Sequence, residues 1–568
     1  MNNKEVPLFE NWPYKVPSIK TAVKKVETFT EHMKEAKDGA EALRVYKAHV
    51  RFFDKLSTEI GHVQVLFTLE STNPVYERDN NKLDEGLPLL QNAETAFMKA
   101  MVESPYREYL EKKLGSHLFK IYDYSLRSFS PEIIEEAIEE NKLSSEYGKT
   151  VAAIQIEFRG EKYNTSQMGK FLNDNDRETR KEASEVYYKA LSEVAPKLED
   201  IYDKLVKVRD KMAKKLGFKN YVELGYLRMS RYDYDAKDTA SYRDAIGKFV
   251  TPLAAKLTKD QFHRIGIKKP EIYDLALMFK DGNPIPKGTT EEKVASARKM
   301  YALLSEEASY WFNFMDDHHL LQLEAKKGKQ PGGYMTNFEA YKVPFIFSNF
   351  NGTSGDIDVL THEFGHSLQY CLARDIKVPE YRSPTMEGAE IDSMSMEFFA
   401  EPYMDLFFDD PLKYRYEHLA DSISFLPYGV TVDEFQHFVY ENPNASKEER
   451  LQKWHEIELK YTPYKVALYK DNEYLSSGRR WLMQGHIFSS PFYYIDYTLA
   501  QVMAFEFFNL DRKNHELAWK RYVKLCKMGG KYPFRTLVTK CGMKDPFQEG
   551  VIEKTIKPLV KQLKTYGF

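Results

Sequence analysis

Two imidazoles four residues apart, with a carboxylate beside the first, make up the stretch Thr361-His362-Glu363-Phe364-Gly365-His366-Ser367. On an α-helix, residues i and i+4 lie one above the other. His362 and His366 can therefore aim at one ion. Glu363 stands about a hundred degrees round the helix from His362. It flanks such an ion without ligating it, where a general base for an activated water belongs. With 14 His in 568 residues, chance yields this pattern in roughly 3 chains of 100. The chain also contains two incomplete versions, His455-Glu456 and His515-Glu516, with Leu459 and Trp519 at the fourth position. Those read as ordinary helix residues.

A catalytic zinc needs a third protein ligand and an open position. The next carboxylates downstream lie in Met386-Glu387-Gly388-Ala389-Glu390-Ile391-Asp392-Ser393-Met394-Ser395-Met396-Glu397, followed by Glu401. Helical spacing puts Glu390, Glu397 and Glu401 near one face, with Glu387 one turn before Glu390. Spacing alone leaves Glu387 and Glu390 as rivals for the ligand. It gives Glu397 or Glu401 the task of accepting the free N–H of a ligand histidine. The surrounding Met394, Met396, Phe398 and Phe399 argue against a solvated helix face.

His362-Glu-Phe-Gly-His-Ser followed by Glu390-Ile-Asp-Ser-Met-Ser-Met-Glu397 resembles the thimet oligopeptidase / oligoendopeptidase F family of zinc metallopeptidases. That family's third ligand heads a Glu-x-x-Ser-x-x-x-Glu pattern, which Glu390, Ser393 and Glu397 match and Glu387 does not. The resemblance thus implies one Zn²⁺ per chain on His362, His366 and Glu390, with Glu363 as the base. It also reaches Gln484-Gly485-His486-Ile487-Phe488-Ser489-Ser490-Pro491-Phe492-Tyr493-Tyr494-Ile495-Asp496-Tyr497. Without it, a tyrosine cluster reads as a core margin. With it, His486, Tyr494 and Tyr497 become donors to the oxyanion of a tetrahedral intermediate, and Tyr493 a substrate contact. Spacings in this loop and between the metal ligands are each one residue shorter than in the thimet branch, so the chain is closer to the oligoendopeptidase F branch.

Composition narrows the remaining classes. A net charge of −3 and a pI near 6.6 leave no basic stripe for nucleic acid. Cys371, Cys526 and Cys541 are odd in number and widely spaced, which points to a reducing compartment. The start, Met1 to Pro7, lacks the apolar region of a signal peptide. No run of about 18 apolar residues offers a membrane span. A soluble cytoplasmic protein is expected, with no nucleic-acid or membrane partner. Its oligomeric state is left open. The 39 Tyr fit either the margins of a large core or a channel lined by phenols.

The elements that must position these residues are mostly helices. Ile19, Val23, Val26, Phe29 and Met33 recur at helical spacing, as do Leu43, Tyr46, Val50 and Phe53. Breaks fall at Asp38-Gly39, Thr72-Asn73-Pro74 and Ser104-Pro105. Ser130-Pro131-Glu132 opens a further helix. A strand from Val151 to Phe158, a turn at Arg159-Gly160 and a strand over 161–164 read as a hairpin. The chain is cut near 165 into an N-terminal helical region (1–165) and a catalytic region (166–568). Further helices are expected over 219–229, 236–260, 292–312, 411–425, 447–461 and 474–484. His318-His319 is adjacent rather than spaced, and reads as structural. Arg479-Arg480 reads as structural ion pairs, with a peptide carboxylate as the alternative partner.

Gly328 to Thr336 and the apolar run Val343 to Phe350 suggest a small sheet just before the metal helix. A sheet edge there can take an extended peptide as an added strand. Gly332 and Gly333 permit close backbone approach, and with Tyr334 they form the expected substrate-binding loop. Thr353-x-x-Asp356 reads as a capping box that starts the metal helix near Ser354. The whole is read as a mainly α, two-lobed zincin-type metallopeptidase with a deep central cleft and a small β-sheet beside the zinc. The resemblance implies endopeptidase action on short oligopeptides. The rivals are a zinc carboxydipeptidase and a non-catalytic peptide-binding protein.

Overall fold

The computed structural model describes residues 6–568 except 166, 327 and 331. The reading of the first residues as leaderless and the place of Pro331 in the glycine loop lie outside the described residues. The chain is mainly helical, with five short strands among the described residues. It forms two compact units, each assembled from three chain segments. Among the described residues no helix is long and apolar enough to cross a membrane.

The first unit comprises Met1–Ser128, Ile285–Pro411 and Leu510–Met543. Its helices begin where the turn residues predict. Ser18 accepts the Thr21 N–H to start Ile19–Lys34, Asp38 accepts that of Glu41 to start Gly39–Leu69, and Asn73 accepts that of Val75 to start Pro74–Val102. Their apolar stripes merge in one core that includes Val26, Phe29, Met33, Tyr46, Leu83 and Phe97. Against these helices lies a three-stranded sheet of β3 (Leu321–Glu324), β4 (Tyr334–Phe338) and β5 (Val343–Phe350). The order is β3-β5-β4, with β3 parallel and β4 antiparallel to the central β5. Nearly every residue of β5 is buried, as its continuous apolar run demands. Among the described residues, β4 therefore has one edge without a strand partner.

Two helices follow the sheet, here termed the histidine helix (Gly355–Ala373) and the glutamate helix (Met386–Ala400). The histidine helix starts where expected, by different chemistry. Ser354 makes no side-chain cap. Instead the buried Asp356 carboxylate accepts the N–H groups of Asn351 and Gly352 and pairs with the buried Lys293 at 2.8 Å. The Thr353 hydroxyl donates to Asn351 Oδ1 rather than capping the helix, and only the Thr353 carbonyl accepts the Asp356 N–H. The two helices touch at Gly365. A Cβ there would lie 2.6 Å from the Asp392 carbonyl oxygen and 2.6 Å from the Ser393 Cα.

The second unit comprises Phe129–Pro284, Leu412–Asn509 and Lys544–Phe568. It holds the hairpin of β1 (Ile156–Phe158) and β2 (Glu161–Tyr163), turned at Arg159 and Gly160, both with positive φ. The first strand is shorter than expected, because Ile134–Ala152 remains helical through Val151. Two other expectations shift: the helix expected over 411–425 runs on to Glu441, and 474–484 divides into two short pieces, Glu473–Ser476 and Arg480–Met483. Arg479 pairs with Glu199 at 2.8 Å and Arg480 with Glu458 at 3.3 Å.

Candidate active site

One turn of the histidine helix separates His362 from His366, and the glutamate helix brings Glu390 to both. Glu390 Oε2 stands 3.3 Å from His362 Nε2 and 3.7 Å from His366 Nε2. Among the described residues these three form the one cluster of metal-type donors, all within 4.8 Å of one another. Two ligands on a tetrahedral zinc, at bond lengths of about 2.0–2.1 Å, stand roughly 3.3 Å apart. The observed separations fit that geometry, and two nitrogens with one carboxylate are a donor set that zinc accepts.

The next residues outward hold the ligands in place. His362 Nδ1 lies 2.7 Å from Glu397 Oε1. That contact keeps a proton on Nδ1 and aims Nε2 at Glu390 and His366. Ser393 Oγ donates to Glu390 Oε2 at 3.0 Å. Glu401 pairs with Arg512 instead, and Glu387 is buried outside the cluster. Burial opposes a proton on His362, but hydrogen bonds to Glu390 and Glu397 outweigh it and raise the imidazole well above its ordinary pKa. At His366 burial prevails and lowers the pKa to about 4.

Glu363 is 7% exposed. Burial raises its carboxyl to about 7, partly opposed by His362 and by the backbone N–H of Met335 in β4. The glycine loop lies against it, since a Cβ on Gly333 would meet Val359 at 3.0 Å and Glu363 Oε1 at 3.9 Å. Gly332 adopts φ +100°, a conformation that favours glycine. The Tyr334 ring stacks on Phe347, and its hydroxyl shares a 2.6 Å hydrogen bond with Thr68. Sequence reasoning missed how this loop is fastened. Lys329 Nζ donates to the carbonyls of Gln322, Glu324 and Ser348, and Asn349 donates to those of Gln330 and Gly332. The adjacency of Lys329 and Asn349 to the two glycine-flanked stretches is the only signal that pointed there.

The second unit carries the other expected residues. His486 and Tyr497 approach at 3.5 Å, and the rings of Tyr493, Tyr494 and Tyr497 lie 5.2–5.7 Å from that of His486. Gln484 fixes the imidazole through Nδ1 at 2.8 Å and accepts the Tyr428 hydroxyl at 2.9 Å. Two buried arginines hold the segment between. Arg209 donates to the carbonyls of Ile487 and Phe488, and Arg231 to that of Phe492 and to Asp496. Neither was foreseen, because each acts across more than 250 residues of sequence. His318 bonds to the Phe314 carbonyl and His319 to Glu10, so that pair is structural.

A helical scaffold that presents two histidines, a glutamate and a flanking glutamate beside an open strand edge belongs to the hydrolytic peptidases. Residues 170–556 match the model of peptidase family M3, and residues 9–129 match that of the peptidase M3 N-terminal domain. The chain belongs to peptidase family M3. It is 21% identical to oligopeptidase PepF of Bacillus subtilis (strain 168), over 94% of this chain and 81% of that protein. The solved structure of PZ peptidase A with an inhibitor is similar at 44% identity and TM-score 0.94, covering 98% of this chain and 99% of the other. A putative oligoendopeptidase F from Bacillus anthracis is similar at 42% identity and TM-score 0.89, covering 99% and 98%. The chain is thus a peptidase on the oligoendopeptidase F side of the family.

Proposed function

We propose that the chain is a zinc-dependent endopeptidase that hydrolyses internal bonds of short oligopeptides. The observation that carries this reading is the convergence of His362, His366 and Glu390, with Glu363 beside them. A zinc ion bound there would polarise a carbonyl oxygen and acidify a water. The similarity to oligopeptidases supports short peptides as substrates.

The chain's own residues divide the remaining work. Glu397 keeps His362 in the tautomer whose Nε2 is free to ligate. Glu363 takes a proton from the attacking water and passes it to the leaving amine, so that its charge is restored at the end of the cycle. The edge of β4 that has no strand partner among the described residues, with Gly332, Gly333 and Tyr334 at its start, accepts the substrate backbone as an added strand. His486, Tyr494 and Tyr497 are assigned as donors to the oxyanion, with Tyr493 as a substrate contact. The three cysteines are all buried free thiols, in keeping with a reducing, cytoplasmic setting.

The test is Glu363→Gln. It should retain one zinc per chain by elemental analysis and lose turnover on a short peptide by on the order of 10²–10⁴-fold. A metal-replete variant that cleaves at the parent rate removes Glu363 from the mechanism.

A further inference from the structure

The first unit holds a cavity of about 630 Å³ that shares no residue with the candidate active site. Three separated segments, 114–120, 376–381 and 531–533, wall it. Each supplies one lysine: Lys120 from the first, Lys377 from the second and Lys531 from the third. All three are exposed, so a ligand can reach them from solvent. Among the described residues, no aspartate or glutamate lines the cavity. The whole chain carries 85 acidic residues against 82 lysines and arginines. A wall of three lysines and no acid is therefore not a sample of its average surface.

The walls are fastened to one another through a single residue. The buried Tyr381 accepts the Leu118 N–H on its hydroxyl at 2.6 Å, and that hydroxyl donates to the Gly115 carbonyl at 3.4 Å. The Tyr381 carbonyl accepts the Gly530 N–H at 2.9 Å, next to Lys531. The His117 imidazole stacks on the Tyr381 ring, with centroids 6.0 Å apart and planes 10° from parallel. Burial and the charge of Lys120 lower that imidazole to about 4. At neutral pH it is uncharged, and the lysines carry the positive charge. The cavity is thus formed before a ligand arrives, which spares the cost of ordering its walls. Its volume falls in the range of small-molecule sites.

We propose that this cavity binds a small polyphosphate anion. Lysines gathered around one space repel one another, and a monoanion answers only one of them. A ligand with several charges answers all three. An ammonium acts as a point charge suited to phosphate oxygens, and among the described residues no arginine is present to fork around a planar carboxylate. The wall 376–381 belongs to the connector between the histidine helix, which ends at Ala373, and the glutamate helix, which begins at Met386. A bound anion would therefore touch the chain that joins the two helices of the metal cluster. The inference does not depend on the peptidase chemistry, because binding is read directly.

The test is calorimetric titration of the full-length, metal-loaded protein with tripolyphosphate, ATP and orthophosphate at about 0.15 M salt. Tripolyphosphate should bind once per chain, on the order of 10-fold or more tightly than orthophosphate. Lys377→Met with Lys531→Met should weaken it on the order of 10-fold or more, while the corresponding pair of arginine variants should retain it. Both lysines are exposed, so the Met variant should keep the parent's thermal transition. Hydrogen exchange with tripolyphosphate bound should slow in 374–385. Equal affinity for ATP and tripolyphosphate supports an inorganic chain as the ligand, and tighter binding of ATP supports a nucleoside triphosphate. The proposal is overturned by binding of ATP without tripolyphosphate, or by no saturable binding. It is also overturned by equal affinity in parent and Met variant, as when the anion meets only the metal, or by protection confined to segments outside 114–120, 374–385 and 531–533.

Discussion

A histidine becomes a useful ligand only when one nitrogen is free and its ring is held. His362 meets both conditions through the 2.7 Å contact with Glu397. Glu397→Gln should therefore weaken zinc binding by about 10–100-fold, measured by competition with a chromophoric chelator. Glu387→Gln should leave that affinity unchanged, because Glu387 is buried outside the cluster. An equal loss in both variants would contradict the assignment. At this scale the candidate site was largely legible, because His-Glu-x-x-His encodes its geometry in a spacing of four. Glu387 and Glu390 were not separable by spacing, since one helical turn relates them and either could face the histidines. The family pattern Glu-x-x-Ser-x-x-x-Glu singled out Glu390, and the packing of the glutamate helix against Gly365 brings that carboxylate to the two imidazoles.

That packing belongs to the scale of elements. The ligands come from two helices in backbone contact, and the absent side chain of Gly365 sets their separation. Gly365→Ala would drive a methyl to 2.6 Å from the Asp392 carbonyl oxygen and 3.0 Å from the Met396 Cβ. Neither neighbour is the flexible end of a side chain, so the helices must part. Overpacking of this kind costs about 1–3 kcal/mol, and Glu390 should move away from both imidazoles. Urea unfolding should show that loss, and zinc affinity should fall with it. Unchanged zinc affinity in a destabilised variant would mean that the spacing of the helices does not govern the site. The segment that carries His486 and the tyrosines depends on a different device. Arg231 and Asp496 form an ion pair at 3.0 Å with neither side chain exposed. Arg231→Leu would leave Asp496 buried without that partner, at a cost of about 3–5 kcal/mol, again measured by urea unfolding. Helix positions were readable from apolar spacing and capping residues. The hairpin was misjudged at Val151 because a short apolar run satisfies both periods until its neighbours decide.

At the scale of the molecule, chain order and spatial order part company. The cut near 165 follows the chain, whereas each compact unit gathers three separated segments. Sequence pattern could not reveal this grouping, because the contacts that define it join residues hundreds of positions apart. Tyr46 and Tyr122 both donate to Glu380, the Leu118 N–H donates to the Tyr381 hydroxyl at 2.6 Å, and Asp54 pairs with Arg382 at 2.7 Å. Trp12 packs against Tyr341 in a tilted pair with ring centroids 4.1 Å apart. A fragment of residues 1–165 would keep its capped helices and lose every one of these partners. Helices retained without their tertiary contacts give a strong far-UV circular dichroism signal but no cooperative transition. The fragment should therefore look helical, bind a hydrophobic dye and melt over a broad range, while the full chain melts sharply. A steep, dye-free transition in the fragment would show that residues 1–165 fold on their own and that the segments 285–411 and 510–543 merely dock onto them.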